Sequence, residues 1–204
     1  MFVGMWMTED VITVAPDLAL QAAAQLMAEK KIRRLPVVGT FAGEERMIGI
    51  LSATDVVRAV NAKSVADAMT PHPVTIKVDA PIESAAAIMR ECKIGALPVM
   101  RGDALVGLIT ESDVFDAFVS LFDLSSNGVR ITFDISKGED VLPFVTELAT
   151  RHGVRITSFA SVRSHRRPMC VLHVTGDDAE PFLEELWRSH HRVESVVRTG
   201  TQKN

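Results

Sequence analysis

The stretch IGALPVMRGDALVGLITESD, residues 94–113, restates in altered form what the chain has already written as IRRLPVVGTFAGEERMIGILSATD, residues 32–55. Ile94 meets Ile32, and Leu97-Pro98-Val99 meets Leu35-Pro36-Val37, at an offset of 62 residues. Gly107-Leu108-Ile109-Thr110 and Asp113 then meet Gly49-Ile50-Leu51-Ser52 and Asp55 at an offset of 58. The change of offset falls where residues 39–46 give way to residues 101–104, both rich in Gly and charge, as hairpin loops are. Upstream the offset of 62 holds: Met69-Thr70 repeats Met7-Thr8, Thr75 repeats Thr13, Asp79 repeats Asp17, Ala85-Ala86 repeats Ala23-Ala24 and Met89 repeats Met27. A length change confined to a turn identifies two copies of one folded unit.

Each copy reads as βαββα. Residues 11–14 are β-branched and predict a short strand, broken by Ala15-Pro16-Asp17. Residues 18–31 place Leu18, Ala22, Leu26 and Met27 at helical spacing. Residues 35–38 and 47–51 are apolar runs flanking a turn, and residues 55–61 form a second helix entered through Ser52-Ala53-Thr54-Asp55. The second copy predicts the same order over residues 74–78, 82–93, 97–100, 105–109 and 114–121. A unit this small cannot close a core alone, so the copies are expected to pack sheet against sheet.

The pattern changes after a polar linker at Ser125-Ser126-Asn127-Gly128. A strand over 129–134 leads to a helix over 141–152, closed by Gly153. Strands over 154–162 and 169–175 flank a turn at 164–167, and a helix over 178–190 precedes a last strand over 193–197. That βαββαβ order is ferredoxin-like, with open edges and one sheet face for another subunit to cover. The expected class is α+β (mixed α/β), divided at residues 1–62, 63–124 and 125–204.

Composition narrows the function. A hydrophobic share of 47% over 204 residues supports packed domains rather than disorder, and a net charge of −4 argues against a nucleic-acid binder that relies on a broad cationic face. The short clusters His190-His191-Arg192 and Arg163-Ser164-His165-Arg166-Arg167 read as solvated turns. Glu9, Asp10 and Asp17 interrupt the apolar N-terminus, so no membrane span is expected, nor is a signal peptide. Cys92 and Cys170 sit at no metal-ligand spacing, and no Ser/His/Asp motif, P-loop or dinucleotide fingerprint occurs. The expectation is a cytoplasmic protein that requires no cofactor or metal, binds neither nucleic acid nor membrane, and is not an enzyme.

Met-Thr, a Val/Ile-Thr-Val/Ile strand, an Ala-rich helix, Ile-x-x-Leu-Pro-Val and Gly-h-h-Ser/Thr-x-x-Asp resemble the cystathionine-β-synthase-type (CBS) repeat. Two in tandem resemble a Bateman module. Ala149-Thr150-Arg151-His152-Gly153-Val154-Arg155-Ile156 resembles the helix–Gly–strand junction of ACT domains, and the whole order is similar to the acetoin-utilisation B-type family. The resemblance implies a regulatory homodimer that binds an adenosine-containing ligand (AMP, ATP or S-adenosylmethionine) between paired repeats and acts on an unknown target enzyme in acetoin- or acetate-linked metabolism.

Carried over by motif, Asp55 and Asp113 accept ribose hydroxyls, Ser52 and Thr110 add hydroxyl contacts, and Thr13 and Thr75 border the adenosine. Arg33-Arg34, replaced by Gly95-Ala96 in the second copy, reaches phosphate through its planar forks or, alternatively, complements the dipole of the preceding helix. Ser52-x-x-Asp55 and Thr110-x-x-Asp113 also suit plain helix capping. Asp140 stands where ACT domains carry a ligand-contacting Gly, with Gly138 two residues early, so a dimerisation or relay role is expected there rather than amino-acid binding. The competing reading is a structural adaptor with empty clefts that scaffolds a partner enzyme.

Overall fold

Leu20, Ala23 and Met27 recur every three or four residues, which makes Leu20–Lys30 a helix (α1) with one buried stripe. The chain leaves it through Lys31 in the left-handed conformation, at φ 55°, and enters a hairpin of Arg34–Phe41 (β1) and Glu44–Ser52 (β2), followed by the short helix Ala53–Arg58 (α2). The second copy opens with Val65–Ala68 (α3), Thr70–Pro71 (β3) and Ile76–Lys77 (β4). Its own helix Ile82–Cys92 (α4) buries Ile82, Ala85 and Met89, the positions equivalent to those in α1, and ends at Lys93 with the same φ of 55°. Ala96–Arg101 (β5), Ala104–Thr110 (β6) and Glu111–Leu121 (α5) complete it. This computed structural model describes residues 1–200 apart from 42, 123–126, 139, 164–166 and 177–178. The expected linker at Ser125-Ser126, the turn and basic cluster at 164–166, and the expected helix start at 178 therefore lie outside the described residues.

The copies exchange their entry segments. Thr8 and Leu108 trade backbone hydrogen bonds of 2.9 Å in both directions, while β3 pairs antiparallel with β2, Thr70 opposite Ile50. Just upstream, Met7 lies over Gly107 and Met69 over Gly49: a Cβ on either glycine would fall 2.4 Å from the methionine sulfur. The reciprocity continues to the start of the chain. Val3 and Gly4 donate to Ala80 and Val78, as Val65 and Ala66 donate to Leu18 and Pro16, and Val3 and Val65 are fully buried. Each three-stranded sheet, β1-β2-β3 and β4-β5-β6, is thus extended by the other copy's entry segment or flanked by it.

This exchange explains where the first strands fall short of expectation. Residues 11–14 form no ladder; Val14 alone bridges Val37, and the second copy retains only Ile76–Lys77 beside β5. Thr8 is tied to one hairpin and Val14 to the other, so the β-branched run between them crosses rather than pairs. Helix α2 likewise ends at Arg58, three residues before the expected stop.

The chain folds into two compact units, Met1–Phe115 and Asp116–Asn204. The second holds Gly128–Asp134 (β7), Val141–His152 (α6), Arg155–Arg163 (β8), Pro168–Thr175 (β9), Glu180–Arg188 (α7) and Val193–Thr199 (β10). Its antiparallel sheet has the order β10-β7-β9-β8, the ferredoxin-like arrangement. Val145 and Leu148 of α6 and Phe182 and Leu186 of α7 bury against Ile131, Phe133 and Leu172. No helix among the described residues is long and apolar enough to cross a membrane.

Asp134 ends β7 with a side chain 1% exposed. One carboxylate oxygen accepts the Ser136 N–H at 2.8 Å, and the other faces Arg192 Nη1 at 3.0 Å. Hydrogen bonds from Ser136, then the charges of Arg192 and Arg167, hold its pKa below the ordinary carboxylate value. A depressed folded pKa contributes stability that is fully present above the unfolded value of about 3.9 and is lost as pH falls through the folded one. Asp134→Asn is expected to lower stability at pH 7 and to flatten the acid limb below about pH 4. Urea titrations of both proteins at pH 7 and pH 3 check this; an acid limb of unchanged slope removes Asp134 as its source.

Candidate ligand-binding cleft

A cleft of about 320 Å³ opens within Met1–Phe115, between the junction of α1 with β1 and the N-terminus of α5. This is near the lower end of small-molecule sites, about 300–1,000 Å³. Lys31, Ile32, Arg33 and Arg34 form one wall, Thr110, Glu111 and Ser112 the opposite one. The crossing segment Thr8, Asp10, Val11 and Ile12 closes a third side, with Gly95 at the base of the Arg34 side chain's reach. The exchange of entry segments is therefore what assembles the site: residues from both copies meet in it.

Its positive wall is unusual. Arg34 is half-buried and forms no ion pair or hydrogen bond among the described residues. Burial first, then the neighbouring Arg33 charge, pull its guanidinium pKa below the ordinary value, while Glu111 and Asp55 oppose them. On the opposite wall the first turn of α5 is nearly satisfied. The Thr110 N–H donates to Asp113 Oδ2 at 2.7 Å, the Glu111 N–H to the Gly95 carbonyl at 3.3 Å, and the Asp113 N–H to Thr110 Oγ1 at 3.4 Å. The Ser112 N–H has no partner among the described residues, and Ser112 lines the cleft. A free N–H at a helix N-terminus and two guanidiniums lining one cleft are together suited to an anion.

Of the residues singled out from sequence, the cleft gathers Arg33, Arg34 and Thr110. Asp113 sits one residue beyond the lining, in a capping box: its Oδ2 also accepts the Thr110 hydroxyl at 2.8 Å. Asp55 repeats this in the first copy, its Oδ2 accepting the Ser52 N–H at 2.8 Å and hydroxyl at 2.6 Å. In both aspartates Oδ1 has no partner among the described residues. Ser52 and Thr110 are the caps and each aspartate stands in the first turn, so the helices begin at Ala53 and Glu111. Thr13 and Thr75 are exposed and line no part of this cleft. Asp140 caps α6, its Oδ1 accepting the Leu142 N–H at 3.2 Å.

The CBS domain family matches residues 3–62 and 65–120. The chain belongs to the CBS domain family. Among solved structures, its CBS pair is similar to the CBS domain pair of protein MJ0100 in complex with 5′-methylthioadenosine and S-adenosyl-L-methionine. The two are 25% identical over 58% of this chain and 95% of that one, with a TM-score of 0.54. It is also similar to CBSX2 of Arabidopsis thaliana in complex with AMP (26% identical, 58% and 96% covered, TM-score 0.53). A third likeness is to an acetoin utilization protein (AcuB) from Vibrio cholerae, 28% identical over 61% of this chain and 94% of that one, with a TM-score of 0.54. The chain spans 23% of the length of a homoserine O-acetyltransferase of Methanohalobium evestigatum, to which it is 33% identical over 116 residues, so that match concerns the CBS pair and not the whole enzyme.

Sequence reasoning passed over Asp10, Glu111 and Ser112. Comparison of the copies carried the signal: Asp10 stands where the second copy has His72, and Glu111 where the first has Ala53. An acid in a helix's first turn has an ordinary explanation in the helix dipole, which hid it.

Proposed function

We propose that the CBS pair is the sensing part of a cytoplasmic, non-enzymatic regulatory protein, and that its cleft takes an adenosine-containing ligand such as AMP, ATP or S-adenosylmethionine. The observation that carries this reading is Arg34, a half-buried guanidinium with no hydrogen bond or ion pair among the described residues, lining the same cleft as Ser112, whose N–H has no partner among those residues either. A phosphate or carboxylate satisfies both, and the adenosine ligands in the complexes of related CBS pairs support the rest of the molecule's identity. In this reading Asp113 accepts a ribose hydroxyl through Oδ1, with Thr110 beside it. Asp55 and Ser52 serve the equivalent position of the other copy, and Thr13 and Thr75, which lie outside the lining of the cleft, take no part in this reading.

We read residues 1–62 and 63–124 as the two CBS repeats and residues 125–204 as an ACT-type domain that dimerises or relays. Exposed Val57 and Val60 in the first copy and Phe115 and Val119 in the second favour a homodimer, since apolar groups of that size are otherwise left in water. The likeness to an acetoin utilization protein supports a target in acetoin- or acetate-linked metabolism.

A thermal-shift panel of adenosine, AMP, ATP and S-adenosylmethionine tests the reading, because a bound ligand stabilises by RT ln(1 + [L]/Kd). Arg34→Ala is expected to weaken AMP about tenfold in calorimetry, the scale of one charge-assisted contact, and adenosine far less. If no adenosine compound shifts the melting temperature at millimolar concentration, the sensor reading falls. The scaffold reading then stands, with the two capping boxes as the sole role of Ser52–Asp55 and Thr110–Asp113. A monomeric mass in light scattering removes the dimer.

A further inference from the structure

Four lining positions of the cleft differ in charge from their counterparts in the other copy: Arg33 and Arg34 against Gly95 and Ala96, Asp10 against His72, and Glu111 against Ala53. Two add positive charge and two add negative, all in one cleft. The acid and base are close. A Cβ on Gly95 would lie 2.8 Å from Glu111 Oε2 and 3.0 Å from Arg34 Nη2, so both head groups reach over the same bare backbone. They form no ion pair, and Glu111 acts on Arg34 through space as an opposing charge. Glycine at position 95 is what allows this, since any side chain there would push the two apart.

We infer that Glu111 is a specificity-determining residue: set across Gly95 from Arg34, it restricts the cleft to adenosine ligands whose tail carries little net negative charge and disfavours triphosphates. The inference rests on the adenosine-ligand reading of the cleft. A single phosphate, or the carboxylate of a zwitterion, is held by Arg33, Arg34 and the Ser112 N–H. Each further phosphate carries charge past Arg34 towards the Glu111 carboxylate. Through water, one like-charge contact at roughly 7 Å lowers affinity about threefold. ATP brings two more phosphates than AMP, so the penalty is about five- to tenfold. An ammonium group in the tail is drawn to the same carboxylate.

The test is calorimetry on the full-length protein with AMP, ATP and S-adenosylmethionine in magnesium-free buffer, read at the site that Arg34→Ala weakens. Wild type is expected to bind AMP and S-adenosylmethionine more tightly than ATP. Glu111→Gln should tighten ATP about five- to tenfold, move adenosine less than about twofold and weaken S-adenosylmethionine. Glu111→Asp, which keeps the charge and the helix start, should keep the wild-type order. A purely structural Glu111, serving the α5 dipole, would shift stability and leave the ATP-to-AMP ratio unmoved. That unmoved ratio overturns the inference while the sensor reading survives. Failure of wild type to bind any of the compounds overturns both.

Discussion

Gly107→Ala is expected to destabilise the CBS pair by about 2–3 kcal/mol, the upper range for forcing an extra methyl into a filled space. The new Cβ would stand 2.4 Å from Met7 Sδ, 3.0 Å from Met7 Cγ and 2.9 Å from the Thr8 carbonyl oxygen. A flexible methionine end can yield, but the Thr8 carbonyl cannot: it accepts from the Leu108 N–H at 2.9 Å in the bridge that joins the copies. Propensity points the other way, because replacing Gly by Ala inside a strand otherwise gains about 0.5–1 kcal/mol. The sign of the change therefore decides whether the exchange contact governs. Combining Met7→Ala with Gly107→Ala should cost less than the sum of the two singles, since the first removes part of the clash of the second. Urea titration followed by Trp6 fluorescence in a Trp187→Phe background reads this unit separately. A Gly107→Ala protein as stable as wild type would show that Met7 does not lock the copies together.

That contact also marks how far the sequence can be read. The duplication is legible because a dozen positions recur in order, and each copy's helix and hairpin follow from spacing and turn composition. Met7 and Met69 are visible as recurring residues, and so are Gly107 and Gly49. Nothing in periodicity says that each methionine packs on the glycine of the other copy, about a hundred residues away in one case and twenty in the other. The same blindness shortened the first strands. Val11, Ile12 and Thr13 have strand-forming side chains, but hydrogen bonds at Thr8 and Val14 commit the segment's two ends to different hairpins. At the cleft, Arg33-Arg34 is conspicuous because the second copy lacks it. Glu111 and Asp10 differ between copies just as plainly, yet a lone acid on a surface has many innocent roles. Only the geometry over Gly95 sets Glu111 close to Arg34.

Asp113→Asn separates the sensing and scaffolding readings, and its expected effect on the ligand is large. Asp113 uses Oδ2 for the Thr110 N–H and hydroxyl, at 2.7 Å and 2.8 Å, which leaves Oδ1 for an incoming donor. An asparagine can put its carbonyl oxygen in the Oδ2 position and keep the capping box. Its NH2 group then occupies the Oδ1 position, so a ribose hydroxyl that would have donated there meets another donor, and the charge is gone. Hydrogen bonds to charged groups are worth about 1.5–3 kcal/mol, or roughly 10–150-fold in affinity. Stability without ligand should move by less than about 1 kcal/mol, because the cap itself survives. Asp55→Asn makes the same comparison at the equivalent position of the first copy, where Oδ2 is engaged by Ser52 in the same way. A pure capping role predicts the same small stability change with no affinity to lose. Calorimetry with AMP and urea titration on the same preparations tell the two apart: binding weakened at least tenfold in one variant, at nearly constant stability, assigns ribose recognition to that aspartate. If both variants bind AMP as tightly as wild type, the aspartates cap helices and the ribose is held by other groups in the cleft.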